Sequence, residues 1–350
     1  MDMTKIANIG SAKWRWMSCL AAAAMLAGRA HAQDYSSDYN ADWARNFRIG
    51  GFAALNIKAN LSMSGQFAIS GHPAGVYDDG YVLVDQTGNA RDLTSNWGYH
   101  NASQYNAGAQ TLTMHNATSY TATGGMVNND NQVYAGFEAA YGGTLWQKGR
   151  WRVGWEAGFG LLPIEFTHNS SLSATVNRSA VSFDTGSIVM PTAPYNGGPS
   201  GVGPLIHDTP TALPGDTIAA TINGVNTLDA DLYTLRLGPT LFWDFTDYLG
   251  LSISAGGAIG FVSGDLKFDE TISLADGSTA QNRGKVSGTD TTYGGYVNAT
   301  ITYHAVKNGD FYVGVQYMPL GNASISGGGR QAKLDLSGQL YISAGFNWPF

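Results

Sequence analysis

The chain has 350 residues, with 19 Lys and Arg against 26 Asp and Glu, 46 Gly, one Cys and 13% charged side chains, about half the charged share usual in soluble domains. One cysteine excludes a disulfide-stapled scaffold, and the acidic balance argues against nucleic-acid binding. Beyond Leu26 no run approaches the roughly 20 apolar residues of a membrane-spanning helix, and mean hydropathy is −0.13. What remains is an all-β chain, either a set of half-apolar strands in a membrane or a soluble β protein.

The N-terminus reads as a targeting segment. Lys5, Lys13 and Arg15 precede an apolar stretch from Met17 to Leu26, and Ala30-His31-Ala32 supplies a small-x-small cleavage site before Gln33. Cys19 is not expected to carry lipid, because Trp16-Met17-Ser18 is a poor lead-in and the apolar run continues past it. Residues 1–32 are thus expected to be a cleaved signal peptide and 33–45 a short periplasmic segment, with a barrel over 46–350. Without 1–32, which holds four of the basic and one of the acidic residues, the net charge is −10.

Strand-like alternation then recurs along the chain, with apolar residues at every second position. Phe47 to Ile57 reads Phe-x-Ile-x-Gly-x-Ala-x-Leu-x-Ile. Val133 to Tyr141, Trp151 to Leu161 and Tyr233 to Trp243 follow, then Leu249 to Phe261, Tyr293 to Tyr303 and Phe311 to Tyr317. The last segment, Leu334 to Phe350, alternates Leu334, Leu336, Gly338, Leu340, Ile342, Ala344, Phe346, Trp348 and Phe350 against a polar set that includes Asp335. That makes eight strands.

The connections sort by length. Gly142–Arg150, Asp244–Tyr248 and Ala305–Asp310 are short links, whereas about 60–130, 167–228, 265–290 and 320–333 are long and polar. Short turns at one end and long loops at the other form the transmembrane antiparallel up-and-down barrel arrangement, with short turns and both termini in the periplasm. Aromatics fall in two bands: Phe47, Trp151, Trp243, Trp348 and Phe350 at the short-turn ends, and Tyr233, Phe261, Tyr293 and Tyr317 at the long-loop ends. Such rings favour the headgroup level.

These eight segments, with Phe350 and the alternation before it, resemble the small eight-stranded outer-membrane barrels of the OmpA transmembrane-domain, OmpX and OmpW kind. The resemblance implies a porin-like barrel of the Gram-negative outer membrane. It also implies that Ile342, Phe346, Trp348 and Phe350 form an assembly signal read by the barrel assembly machinery. Outer-membrane lipids and lipopolysaccharide are the expected surroundings, and a monomer is expected. Loops this long depart from the compact members and leave open whether the first two add strands.

The face pointing inward carries the strand charges: Arg48, Lys58, Glu138, Arg152, Glu156, Arg236 and Asp335. Unpaired charges in a closed interior are costly, so Arg48, Glu138, Arg152, Glu156 and Arg236 are expected to pair as a luminal network. Eight strands enclose a lumen that side chains about fill. A structural or surface-interaction role (adhesion, ligand contact or envelope integrity) is therefore expected. A narrow channel for small or hydrophobic solutes is the alternative, and a lipid-modifying barrel enzyme the distant one. His304 faces inward at the periplasmic end. His72, His100, His115, His168 and His207 fall in long loops with no local Ser/His/Asp grouping. No G-x-S-x-G elbow, zinc-helix motif or phosphate-binding context occurs, so neither catalysis nor a cofactor or metal is expected.

Overall fold

A computed structural model describes residues 45–84, 90–128, 132–306 and 309–349. The expected signal peptide, nearly all of the 33–45 segment and Phe350 lie outside them. Eight strands form a ring: β1 (Arg45–Leu55), β2 (Tyr134–Lys148), β3 (Trp151–Asp184), β4 (Thr211–Asp244), β5 (Leu249–Leu274), β6 (Thr279–Val306), β7 (Gly309–Tyr317) and β8 (Leu340–Pro349). Each pairs antiparallel with its neighbours in the chain, and β1 pairs with β8 from Asn46↔Pro349 to Leu55↔Leu340, which closes the ring. Closure removes the free edges that would otherwise have to find partners.

The outer face of this ring is apolar where the strands share all eight neighbours. Trp151, Leu237, Ile253, Ile301, Val313 and Ile342 all point outward and are more than a third exposed. From Leu251 to Phe261 the belt covers about 33 Å of strand, or ~25 Å of height at the usual tilt, the thickness of an outer-membrane apolar band. Trp151 stacks on Trp243 at 5.1 Å at one border of the belt, and Tyr233, Phe261 and Tyr293 mark the other.

β3 and β4 each run for 34 residues, β5 for 26 and β6 for 28, against the 9–11 a bilayer requires. The segments expected as loops at 167–228 and 265–290 are therefore mainly strand. The reason is a change of apolar face. On β3 the outward positions turn polar at Glu165, Thr167 and Asn169, while the inward positions turn apolar at Leu162, Ile164 and Phe166, all buried. Water has replaced lipid outside, so the apolar side of the strand moves indoors.

A second tier of wall stands above the bilayer. Thr111–Asn128 pairs with upper β3, Lys58–Ala68 with Thr111–Asn128, Arg330–Asp335 with Lys58–Ala68, and Asn322–Gly327 with Arg330–Asp335. Here the first and fourth long loops supply strands in place of β1, β2, β7 and β8; none of them enters the ring of eight. The hairpin at 327–330 turns through Gly328 (φ 54°) and Gly329 (φ 76°), left-handed backbone that glycine adopts without a Cβ clash. Above this tier, Val76–Tyr77, Gly80–Val82, Trp97–Tyr99 and Tyr195–Asn196 form a small crown sheet over a core with Trp97, Met114, Phe183 and Ile206.

Several other expectations are corrected. The C-terminal run is not one strand: it divides into Arg330–Asp335 and Leu340–Pro349, and its inward face changes between them. Leu334 and Leu336, expected outside, are buried, as is Ile57 past the left-handed Asn56 (φ 62°). Lys58 and Asp335, expected in the lumen, are instead cross-strand partners in the upper tier, Lys58 exposed and Asp335 half-buried. The link placed at Gly142–Arg150 is mostly strand, with Gly149 (φ 58°) at the turn.

Candidate functional site

The interior is built in three layers. The lowest belongs to β1–β4 and β7. Arg48 reaches Glu156 at 2.9 Å, and Arg236 reaches Glu138 at 3.1 Å and Glu156 at 3.3 Å. Tyr312 donates its hydroxyl to Glu138 at 2.8 Å, and its ring lies 5.0 Å beneath the Arg48 guanidinium. Two guanidinium groups face two carboxylates, all buried, so the layer is charge-balanced. Toward the short turns, Arg152 donates to both oxygens of Asp244 at 2.9 Å, and His304 lies 3.0 Å from Asp310. The cavity among Arg48, Arg152, Asp244, His304 and Asn347 is about 30 Å³, room for about one water molecule.

The middle layer is apolar. Leu162, Phe166, Leu232, Val262, Leu320 and Leu336, each at 2% exposure or less, belong to one cluster, at the height where the tiers meet. The upper layer adds a second apolar cluster around Phe67, Ile222 and Ile272, and a buried ion pair. Arg330 donates to Glu270 at 2.7 Å and to the Tyr120 hydroxyl at 2.8 Å. Its guanidinium carbon lies 3.6 Å from the centre of the Phe268 ring and 4.4 Å from that of Phe67. Tyr120 in turn donates to Glu270 at 2.5 Å and accepts from Asn282 at 2.9 Å. Burial pushes the Tyr120 phenol well above its ordinary pKa, so it stays a donor at neutral pH.

The five expected luminal residues divide into two groups: Arg48, Glu138, Glu156 and Arg236 in one, and Arg152 with Asp244 in the other. Tyr312, Asp244, Glu270, Tyr120 and Arg330 were not singled out from the sequence. The last three stand in segments that read as loops. Among the remaining candidates, Ile342 and Phe346 face outward, Trp348 stacks on Phe47 at 6.4 Å, and Tyr317 is 47% exposed.

Near the crown the fold assembles side chains that local sequence kept apart. His115 lies 2.6 Å from Asp79, and His72 lies 2.8 Å from Asp78. Both carboxylates also accept backbone N–H groups of the Thr111–Asn128 strand, at His115 and Ala117. These pairs fasten residues 72–79 to that strand. The tip between Thr185 and Ile206 carries no charged residue, and it exposes Val189 at 91% and Val202 at 81%.

No family model and no curated protein matches the chain. Among solved structures, Ail, the attachment invasion locus protein of Yersinia pestis, is 10% identical over 87% of this chain and 99% of its own, with a TM-score of 0.28. The outer membrane protease OmpT of Escherichia coli is 12% identical over 91% and 99%, at 0.31. The outer membrane protein OprG of Pseudomonas aeruginosa is 13% identical over 88% and 96%, at 0.28. Scores this low carry no role across. The closed ring of eight strands, its outward apolar belt and its charged lower lumen are those of a small outer-membrane β-barrel, and the outer membrane is where such a belt is stable.

Proposed function

We propose that the protein is a sealed outer-membrane pillar that holds an interaction surface, the crown, well above the bilayer. One observation carries this reading: the lumen is filled at three successive heights, by a charge-balanced ionic layer, an apolar core and a second apolar layer around Arg330. A conducting path would need continuous polar space, and a solute would have to displace side chains packed to near-complete burial. The uncharged tip at 185–206 supports surface contact as the role, since depletion of charged side chains is what distinguishes the core of an interaction surface. The reading is non-catalytic: the crown histidines fasten strands through carboxylates that are already committed to backbone N–H groups. Planar-bilayer recording of the refolded protein tests it. A silent barrel is expected, and steady ohmic current in most insertions would replace the pillar by a channel.

A further inference from the structure

Upper β6 is laddered along one edge only; among the described residues β3 has a shorter gap of this kind, from Leu162 to Ser173. Along one edge it pairs with β5 without a break, from Leu249↔Tyr303 to Ser273↔Thr279. Along the other, β7 accompanies it only from Val297 downward. Between Thr279 and Tyr296 that second edge has no ladder among the described residues. The facing strand, Asn322–Gly327, likewise pairs on one side only, with Arg330–Asp335. The upper wall therefore has a seam, between 286–293 of β6 and 321–327, that no ladder closes.

What spans the seam is sparse. At its base there is one bridge, Gly294↔Leu320, with Gly321 N–H donating to the Tyr293 carbonyl at 3.2 Å and Gly295 N–H to the Pro319 carbonyl at 3.3 Å. Higher up, Ser324 N–H donates to the Asp290 carboxylate at 2.7 Å. Ile325 lies over Gly288, and Val286 lies over Gly327. The two edges overlap rather than pair. A side chain at Gly294 would run into the Pro319 carbonyl, so glycine is what permits the overlap.

One strong contact crosses from wall to wall inside. Arg330 belongs to the hairpin panel, whereas Glu270 and Phe268 belong to β5. Tyr120 stands on Thr111–Asn128, on the panel side, and accepts from Asn282 of β6. The ion pair and its tyrosine thus join the two sides of the seam just behind it.

We propose that the upper tier opens sideways along this seam and that Arg330–Glu270 is its latch. The panel of Asn322–Asp335 pivots on the base at 293–295 and 319–321. Opening exposes the apolar upper interior around Phe67, Ile222 and Ile272 to the external medium. The lower ionic layer stays shut, so the inference goes beyond the sealed pillar without contradicting it.

Hydrogen exchange by mass spectrometry on the refolded full barrel tests this, with 8-anilinonaphthalene-1-sulfonate as an apolar anionic probe. In the wild type, amides of 279–292 and 322–327 are expected to exchange at least tenfold faster than those of 220–232 and 262–274, which stand at the same height in an unbroken ladder. Glu270→Gln should speed the seam amides a further tenfold and raise probe fluorescence, with the lower-tier amides unchanged. Oxidation of an Asp290→Cys/Ser324→Cys pair, in a mature chain expected to hold no other cysteine, should cancel both gains. Retained protection of lower-tier amides shows that each variant has formed its barrel. Seam amides as slow as the β4–β5 ladder, or gains that survive the cross-link, would overturn the proposal.

Discussion

Arg236 and Glu138 meet at 3.1 Å inside the barrel although β3 stands between their strands. The same guanidinium reaches Glu156 on that intervening strand, so one cation joins three consecutive strands across the lumen. Removing one partner of a buried pair leaves the other charge uncompensated, which costs about 3–5 kcal/mol. Arg236→Ala should lose that much stability in urea unfolding from lipid vesicles. Double replacement of Arg236 by Met and Glu138 by Gln should lose less. Equal losses would mean that the pair contributes by packing rather than by charge.

The lipid belt gives a comparison between adjacent residues. Ile253 is 45% exposed on the outer face, whereas Ser252 is 6% exposed in the lumen. An arginine near the bilayer midplane costs about 2–4 kcal/mol. Ile253→Arg should therefore destabilise the vesicle-embedded barrel by about that amount, and Ser252→Thr far less. Similar unfolding midpoints would reverse the face assignment of β5.

Acid should loosen the upper hairpin before it unfolds the barrel. Two hydrogen bonds from Arg178 hold the Asp216 carboxyl below the ordinary carboxylate range. A depressed folded-state pKa contributes stability that is present above the unfolded value, about 4, and is lost as pH falls through the folded one. Asp216 is half exposed, so the contribution is small and screened by salt. Protection of amides near 178 and 216, corrected for the intrinsic pH dependence of exchange, should fall between pH 5 and about pH 3 in the wild type, and Asp216→Asn should be poorly protected at both pH values.

Topology is tested from outside the cell. A non-specific protease added to intact cells should cut in the crown, within the irregular stretch 186–194 or 197–205, and leave the paired strands of the upper tier whole. Cleavage at 245–248 in intact cells would invert the orientation, because that turn belongs to the periplasmic end.

The chain terminus bears on assembly. Phe350→Ala, by the resemblance of the terminal strand to an assembly signal, should lower folded surface barrel and raise unfolded periplasmic chain in fractionated cells. Normal surface levels would remove that role from Phe350.

The lower tier was legible residue by residue. Lipid outside and polar groups inside impose a period of two, and Tyr233 to Trp243 or Leu249 to Phe261 keep it without interruption. Arg48, Glu138, Glu156 and Arg236 were the inward charges of that pattern, and a closed interior requires charges to pair. One partner was not legible: Tyr312 on β7 reaches Glu138 on β2 through ring closure, across strands that the sequence does not order in space.

The upper tier was illegible for a physical reason. At Leu162 on β3 and Leu232 on β4 the apolar positions pass from the odd to the even residues, because water replaces lipid outside and the lumen becomes the dry side. A pattern read for one apolar face loses phase there, and a strand that continues looks like a polar loop. Sequence alone therefore determined the all-β class, the ring of eight and the lipid face. Only tertiary structure decided that the loops become a second wall, that Arg330 meets Glu270 sixty residues away, and that an edge of upper β6 lacks a ladder. Those depend on which distant edges come together, and local alternation carries no information about that.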